Sequence, residues 1–479
     1  MIRTLNASRA SALLLAATLL MPSAVMAQPT PAVKPAPSSS KTQKALPHAQ
    51  EFRLANGLKV LLVERHDLPL VQTQVVFQAG RLFEPSGKAG IADLTATLMT
   101  KGTASRSATQ IADAIDFVGG SLSVGADSDM AVASLSVLKK DLPTGLDLLG
   151  DVLANPAFSP EELERARQQS LARLRSALDD ADTVLGIAYD RAVFDGHPYG
   201  RSQLGTETSL ATLKREDVLA FHRDRYRPDG AFAVIVGDIT RAEVESGFGA
   251  ALAKWTGKAV AAEPPKPPAP IKGKHVYLVD MDVNQSYVMW GNQSFKRNDP
   301  DYFATYLMFS ILGGGMNSRL FSEVRDRQGL AYGVSSFNRV ELTTGAAMVN
   351  LQTKTASTKQ ALTSIQRELE RMAKGGVTAK ELADAKSSML GYFPMQLESN
   401  ADLARMLSRI EFNGLGSDYL NRYSERVSSV TQEDIRRVAR KYLPSGDYAM
   451  VLVAPAKEIA GELKAFGTLS TLSRQELIR

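Results

Sequence analysis

Apolar and polar positions along this chain fall into a pattern that occurs twice. Residues 121–126 and 130–137 alternate as the two arms of a hairpin, and the apolar stripe over 142–153 that follows reads as a helix. Residues 332–340 and 346–352 repeat the hairpin, and 357–374 repeat the helix. Each copy then starts a further helix behind a hydroxyl cap, SPEELERAR at 159–167 and TAKELADAK at 378–386. Further on, Glu216, Asp217 and Val218 open a helix that runs to Tyr226 and Pro228, ahead of a strand at 231–236. Glu433, Asp434 and Ile435 lead in the same way to Tyr442 and Pro444, then to a strand at 448–453. The predicted fold is a duplicated α+β unit, each copy a set of strands with helices packed on one face.

One stretch of the second copy, GGGMNSRLFSEVRDRQGLAYGVSSF at 313–337, carries the clearest local chemistry. Asn317 or Ser318 is placed to cap a short helix whose stripe is Leu320, Phe321 and Val324, and Gly329 suits the left-handed residue that ends it. With 330–337 as a strand, Arg325 on the helix flank and Tyr332 on the strand converge from two elements joined by a tight turn. A guanidinium and a phenol are hydrogen-bond donors suited to holding a carbonyl, and neither is a metal ligand or a general base of ordinary pKa. On local pattern alone, a solvated arginine and a core aromatic are the commoner reading. Gly313, Gly314 and Gly315 lack the Gly-Lys-Ser/Thr ending of a phosphate loop, so they read as a backbone turn that lets the Arg325 helix approach its sheet, with a possible substrate-channel role.

Composition sets the boundaries. Residues 1–27 carry Arg3 and Arg9, no acid, a short apolar run and small residues up to Ala27, the layout of a cleavable secretory signal, and the chain is expected to be periplasmic or secreted. Residues 28–50 are rich in Pro, Ala and Ser without apolar period and read as a disordered leader. The Pro-rich segment 263–274 then divides the remainder into an N-terminal domain, 51–262, and a C-terminal domain, 275–479. The absence of cysteine excludes disulfides and thiolate metal sites. A formal charge of +5, or +3 once Arg3 and Arg9 are set aside, is too weak and too dispersed for a nucleic-acid binder.

The duplication and its signature regions resemble the pitrilysin or insulinase family of zinc peptidases, which includes the mitochondrial processing peptidase, over roughly Glu51 to Ala456. The resemblance implies two tandem homologous domains of the metalloendopeptidase-like, ferredoxin-type fold. Family members bind zinc through two His on one helix, with a Glu between them as base for a metal-bound water, and through a third ligand, a Glu on a later helix. Here Arg81, Glu84 and Gly87 to Ala92 match the lead-in and Lys101, Gly102 and Thr103 the exit, yet Asp93 and Thr97 stand in the two His positions and Ala96 in that of the Glu. Counting from Glu164 places Leu171 at the third ligand. His48, His66, His197, His222 and His275 are too scattered to compensate, and His197 opens a turn, His-Pro-Tyr-Gly, that looks structural. In contrast, Arg325 and Tyr332 keep the family's spacing, and the resemblance implies that they hold the substrate backbone.

The reading that follows is a non-catalytic, substrate-holding subunit of an exported heterodimeric zinc metallopeptidase. The chain itself would bind no metal; a homologous partner carrying His-x-x-Glu-His would supply zinc and base, and the substrate would be a peptide or unfolded protein. The alternative is a peptide-binding or scaffold protein descended from a peptidase. A stand-alone enzyme built on Asp93 is disfavoured, because Ala96 and Leu171 leave neither base nor third ligand.

Overall fold

The computed structural model describes residues 48–479; the proposed signal and nearly all of the leader lie outside them. Two six-stranded sheets are built from β1 (Gln50–Arg53), β2 (Lys59–Glu64), β3 (Leu70–Phe77), β4 (Ser121–Ala126), β5 (Ala131–Leu138), β6 (Ala231–Gly237), β7 (Lys274–Asp280), β8 (Gln285–Gln293), β9 (Ala331–Val340), β10 (Gly345–Lys354), β11 (Tyr448–Ala454) and β12 (Thr468–Leu472). The first sheet has the order β1-β2-β6-β3-β5-β4 and the second β12-β7-β11-β8-β10-β9. From β2 and β7 inward the two are the same sheet. One parallel pair, β2 with β6 or β7 with β11, is followed by antiparallel neighbours out to the hairpin strands β4 and β9. They differ at the outer edge, where β1 runs antiparallel to β2 but β12 runs parallel to β7. The period-2 and period-3.6 runs of the sequence thus become the elements they suggest.

The helices that matter below are α1 (Ile91–Met99), α2 (Leu142–Ala154), α3 (Pro160–Ala177), α4 (Ala181–Val193), α5 (Arg215–Arg225), α6 (Tyr302–Gly313), α7 (Thr358–Gly375), α8 (Ala379–Tyr392), α9 (Asn400–Phe412), α10 (Tyr419–Ser429) and α11 (Gln432–Tyr442). Ser159 caps α3 and Thr378 caps α8, each accepting an N–H from the Glu three residues on. One face of the first sheet packs on α1, α2, α3 and α5 around Val60, Val75, Leu94 and Leu149. The corresponding face of the second packs on α6, α7, α10 and α11 around Trp290, Leu307, Ile365 and Val438.

The other face of each sheet is covered from across the chain. Val184, Leu185, Ala188 and Tyr189 on α4, a helix of the first half, pack on Met348, Ala449, Val451 and Val453 of the second sheet. Leu403, Ala404 and Leu407 on α9, a helix of the second half, share a core with Leu61, Val63, Val234 and Val236 of the first. Helices on one face, expected from sequence, describe each half by itself; the exchanged helices cover the second face. Polar contacts follow the same exchange: Arg339 on β9 pairs with Asp190 on α4 at 2.5 Å, and Lys59 on β2 pairs with Glu411 on α9 at 2.8 Å. The Leu342 N–H in the turn after β9 reaches Asp129 Oδ2, in the turn after β4, at 2.9 Å. The Pro-rich stretch 263–273 runs between the sheets with neither helix nor strand.

Candidate functional site

Gly313 shows why the glycine-rich segment is built as it is. A Cβ there would stand 2.4 Å from the Ser336 backbone nitrogen, so the end of α6 lies directly on β9. The tightest approach is that of α6, and the helix that carries Arg325 also packs on β9. That second helix opens without the side-chain cap expected from Asn317 or Ser318; Ser318 Oγ is buried without a partner. Its residues Phe321–Arg327 form a π-helix, the Gln328 N–H reaching the Glu323 carbonyl five residues back. Such turns are rare and concentrate at functional sites. Gly329, at φ +63°, then ends the helix, with its own N–H on the Arg325 carbonyl and that of Leu330 on Val324.

Arg325 is exposed, its guanidinium resting 4.6 Å from the Phe321 ring centre, and it makes no ion pair with a described residue. The neighbouring Arg327 pairs with Glu323. Tyr332 is 72% exposed. Its position in β9 is special: Gly333 is opposite Gln352 and Ala331 opposite Thr353, so Tyr332 is the extra residue of a β-bulge. A bulge re-aims the side chain it frees. The two side chains therefore stand on consecutive, irregular elements, both in solvent and not bonded to each other. Tyr332 is not a core aromatic. Gly333 directly after an aromatic in a strand pattern was the available sign of the bulge.

The region of α1 around Asp93, Ala96 and Thr97 is well built as structure. Glu84 Oε1 accepts the N–H groups of Gly90 and Ala92 at 2.8 and 3.1 Å and so closes the start of α1, while burial pushes its carboxyl up to about 8. Buried Arg81 donates to Ser128 Oγ at 3.0 Å and to the Arg201 carbonyl. The His197 turn is structural here, its Nδ1 accepting the Tyr199 N–H at 3.2 Å while the Tyr199 hydroxyl donates to Asp129. Ala96 is fully packed, Asp93 and Thr97 are partly buried one turn apart, and Leu171 on α3 packs against the same apolar core. Burial raises the Asp93 pKa, and Arg173 on α3, two residues beyond Leu171, opposes that rise from within electrostatic reach. A carboxylate, a hydroxyl, a methyl and an isobutyl group beside an arginine do not fit a divalent cation. Among the described residues no group of three or more His, Asp or Glu is placed to hold a metal ion.

Comparison with known proteins gives this arrangement its family. A family model described as insulinase (peptidase family M16) matches residues 59–207, and one described as the peptidase M16 inactive domain matches residues 212–389. An uncharacterized zinc protease of Mycobacterium tuberculosis is 30% identical over 419 residues, covering 84% of this chain and 92% of that protein. This chain belongs to the insulinase family, peptidase family M16. An uncharacterized zinc protease of Bacillus subtilis is 25% identical over 418 residues, covering 85% of this chain and 98% of that protein. Among solved structures, a peptidase M16 inactive domain from Pseudomonas fluorescens superposes with a TM-score of 0.80 at 29% identity, covering 85% of this chain and 98% of that one. A protease from Helicobacter pylori superposes at 0.78 and 22% identity over 85% and 100%, which shows the shared fold. The chain is thus a peptidase-derived M16 protein.

Proposed function

We propose that this chain is the non-catalytic, substrate-holding member of an exported two-chain M16 peptidase. One contrast carries the reading. The four positions that would bind zinc and activate water hold Asp93, Thr97, Ala96 and Leu171, while Arg325 and Tyr332 remain in family spacing on two exposed, irregular elements. A homologous chain with His-x-x-Glu-His would carry zinc and base, and the two would act on a peptide or unfolded protein. Export rests on residues 1–27, and no helix among the described residues is long and apolar enough to cross a membrane. Within the complex, the Arg325 guanidinium and Tyr332 hydroxyl would donate to the substrate backbone and fix its register against the partner's metal.

The test is kcat/KM of the reconstituted pair, with complex formation followed by size exclusion. Tyr332→Phe and Arg325→Ala should each pair normally and lose turnover by about one to three orders of magnitude, the range for a positioned donor acting in the transition state. Unchanged kinetics in both complexes would reject the role and leave a peptide-binding scaffold as the better description.

A further inference from the structure

Three cavities open end to end along the outward side of α6. The first, about 550 Å³, lies among Arg297, Tyr302, Tyr419 and Arg426. The second, about 170 Å³, is walled by Tyr302, Tyr306 and Phe337, and the third, about 370 Å³, lies at Gly314, Met316 and Asp384. Tyr302 is common to the first two, and Ser310 and Gly314 to the last two. Tyr302, Tyr306, Ser310 and Gly314 are spaced by four, so they form one line along the helix about 18 Å long. That length takes roughly five residues of extended peptide. Its middle is walled by aromatic rings open to solvent, Tyr306 being 47% and Phe337 42% exposed.

The first end of this groove carries two guanidinium groups, Arg297 and Arg426, that form no ion pair with a described residue. The Arg297 guanidinium lies 3.6 Å from the Tyr302 ring centre and donates to the Tyr419 hydroxyl at 2.7 Å, which holds it in place and leaves its other N–H groups free. The Arg426 guanidinium lies 5.4 Å from the Tyr419 ring centre, and its side chain makes no hydrogen bond or ion pair with a described residue. Carboxylates nearby are already engaged. Asp301 accepts from Arg437, Lys441 and Tyr442, Asp434 caps α11 and pairs with Arg437, and Asp299 accepts the Asp301 N–H. Two planar guanidinium forks with free donors, at one end of a groove whose middle is walled by Tyr302, Tyr306 and Phe337, match a carboxylate on an extended chain. A compact phosphate would fill the first cavity and leave the aromatic walls uncovered.

We infer that the α6 groove binds the C-terminal end of a peptide, its free α-carboxylate seated between Arg297 and Arg426 and its preceding residues running past Tyr302, Tyr306 and Phe337 toward the glycine-rich segment. This rests on the substrate-holding reading and gives the held peptide a direction. Fluorescence anisotropy of the full chain with a labelled seven-residue Leu/Ala/Ser peptide tests it, the peptide being supplied as free acid and as C-terminal amide. The free acid should bind about tenfold more tightly at low salt, with the preference shrinking as salt rises. Arg426→Gln should abolish the preference while the amide binds as before, and Arg426→Lys should keep part of it. Arg297 is packed between rings and its loss could disturb the fold, so Arg426→Gln, checked by thermal melting, is the deciding variant. Equal affinity for acid and amide, an acid preference that survives Arg426→Gln, or no binding of either peptide would overturn the groove assignment. The proposed function fails on a different reading, the turnover of the Arg325→Ala and Tyr332→Phe complexes.

Discussion

Glu84 and Glu341 are carboxyls held where water cannot reach them freely, and both act on stability through their protons. Burial raises Glu84 to about 8; burial, then repulsion from Asp129 in the facing turn, raises Glu341 as well. Each keeps its proton in the folded chain at a pH where the unfolded chain has released it, so stability is lost as pH rises from the ordinary carboxylate range to about 8. His197 and His222 have the opposite sign: burial lowers both to about 4, and the stability they confer is lost as pH falls from 6.5 toward 4. From the ordinary carboxylate range up to pH 6.5 the two carboxyls and the two imidazoles therefore oppose one another, and the melting temperature should change little there and decline above it, where only the carboxyls still titrate. Glu84→Gln keeps an acceptor for Gly90 and Ala92 and should flatten the alkaline decline; calorimetry from pH 5 to 9 showing an unchanged slope would refute this. At Asp93, Ala96, Thr97 and Leu171, the purified chain should hold no stoichiometric zinc and cleave no casein. Elemental analysis giving near-equimolar zinc, with activity that a chelator removes, would contradict the substitution argument. Restoring His at 93 and 97 and Glu at 96 should still leave zinc weakly bound until Leu171→Glu is added, and Arg173 beside the site should limit the gain even then.

At the scale of elements, α4 and α9 each support a sheet built by the other half. Leu185→Ala on α4 and Leu403→Ala on α9, both at fully buried positions, should each cost about 2–5 kcal/mol. Hydrogen exchange should show the loss across the boundary: faster exchange in β8 and β11 for the first, in β3 and β6 for the second. Damage confined to the mutated half would argue against the exchange. The sequence held most of these elements, because strand and helix periods at 121–137, 142–153, 332–352 and 357–374 are set by local alternation, and the observed boundaries fall within a residue or two. It did not hold the exchange, since an amphipathic helix reveals that it has an apolar face and not which sheet covers it. Likewise the spacing of Arg325 and Tyr332 was legible and Gly333 was a sign of the bulge, whereas the π-helix depends on hydrogen-bond register, which no composition of side chains states.

For the whole molecule, the Pro-rich stretch between the sheets is the place where backbone has least to lose by being cut. Limited proteolysis should attack the residues before the first strand and then 263–274, leaving two fragments on a denaturing gel that still elute together under native conditions. Separation of the fragments on the column would show that α4 and α9 contribute little. Calorimetry of the intact chain should give one transition, not two, because neither sheet keeps both faces covered once the other is lost. The exchange also says what the tether does. The chain is in effect a swapped dimer whose two subunits have been fused in series, and the tether, itself held to β8 through Ala269 and Ile271, keeps each subunit at high local concentration about the other. If it were shortened until it no longer spanned the sheets, the helices would still find their seats, but on a neighbouring molecule, and monomers would give way to interlocked rings and open chains of copies.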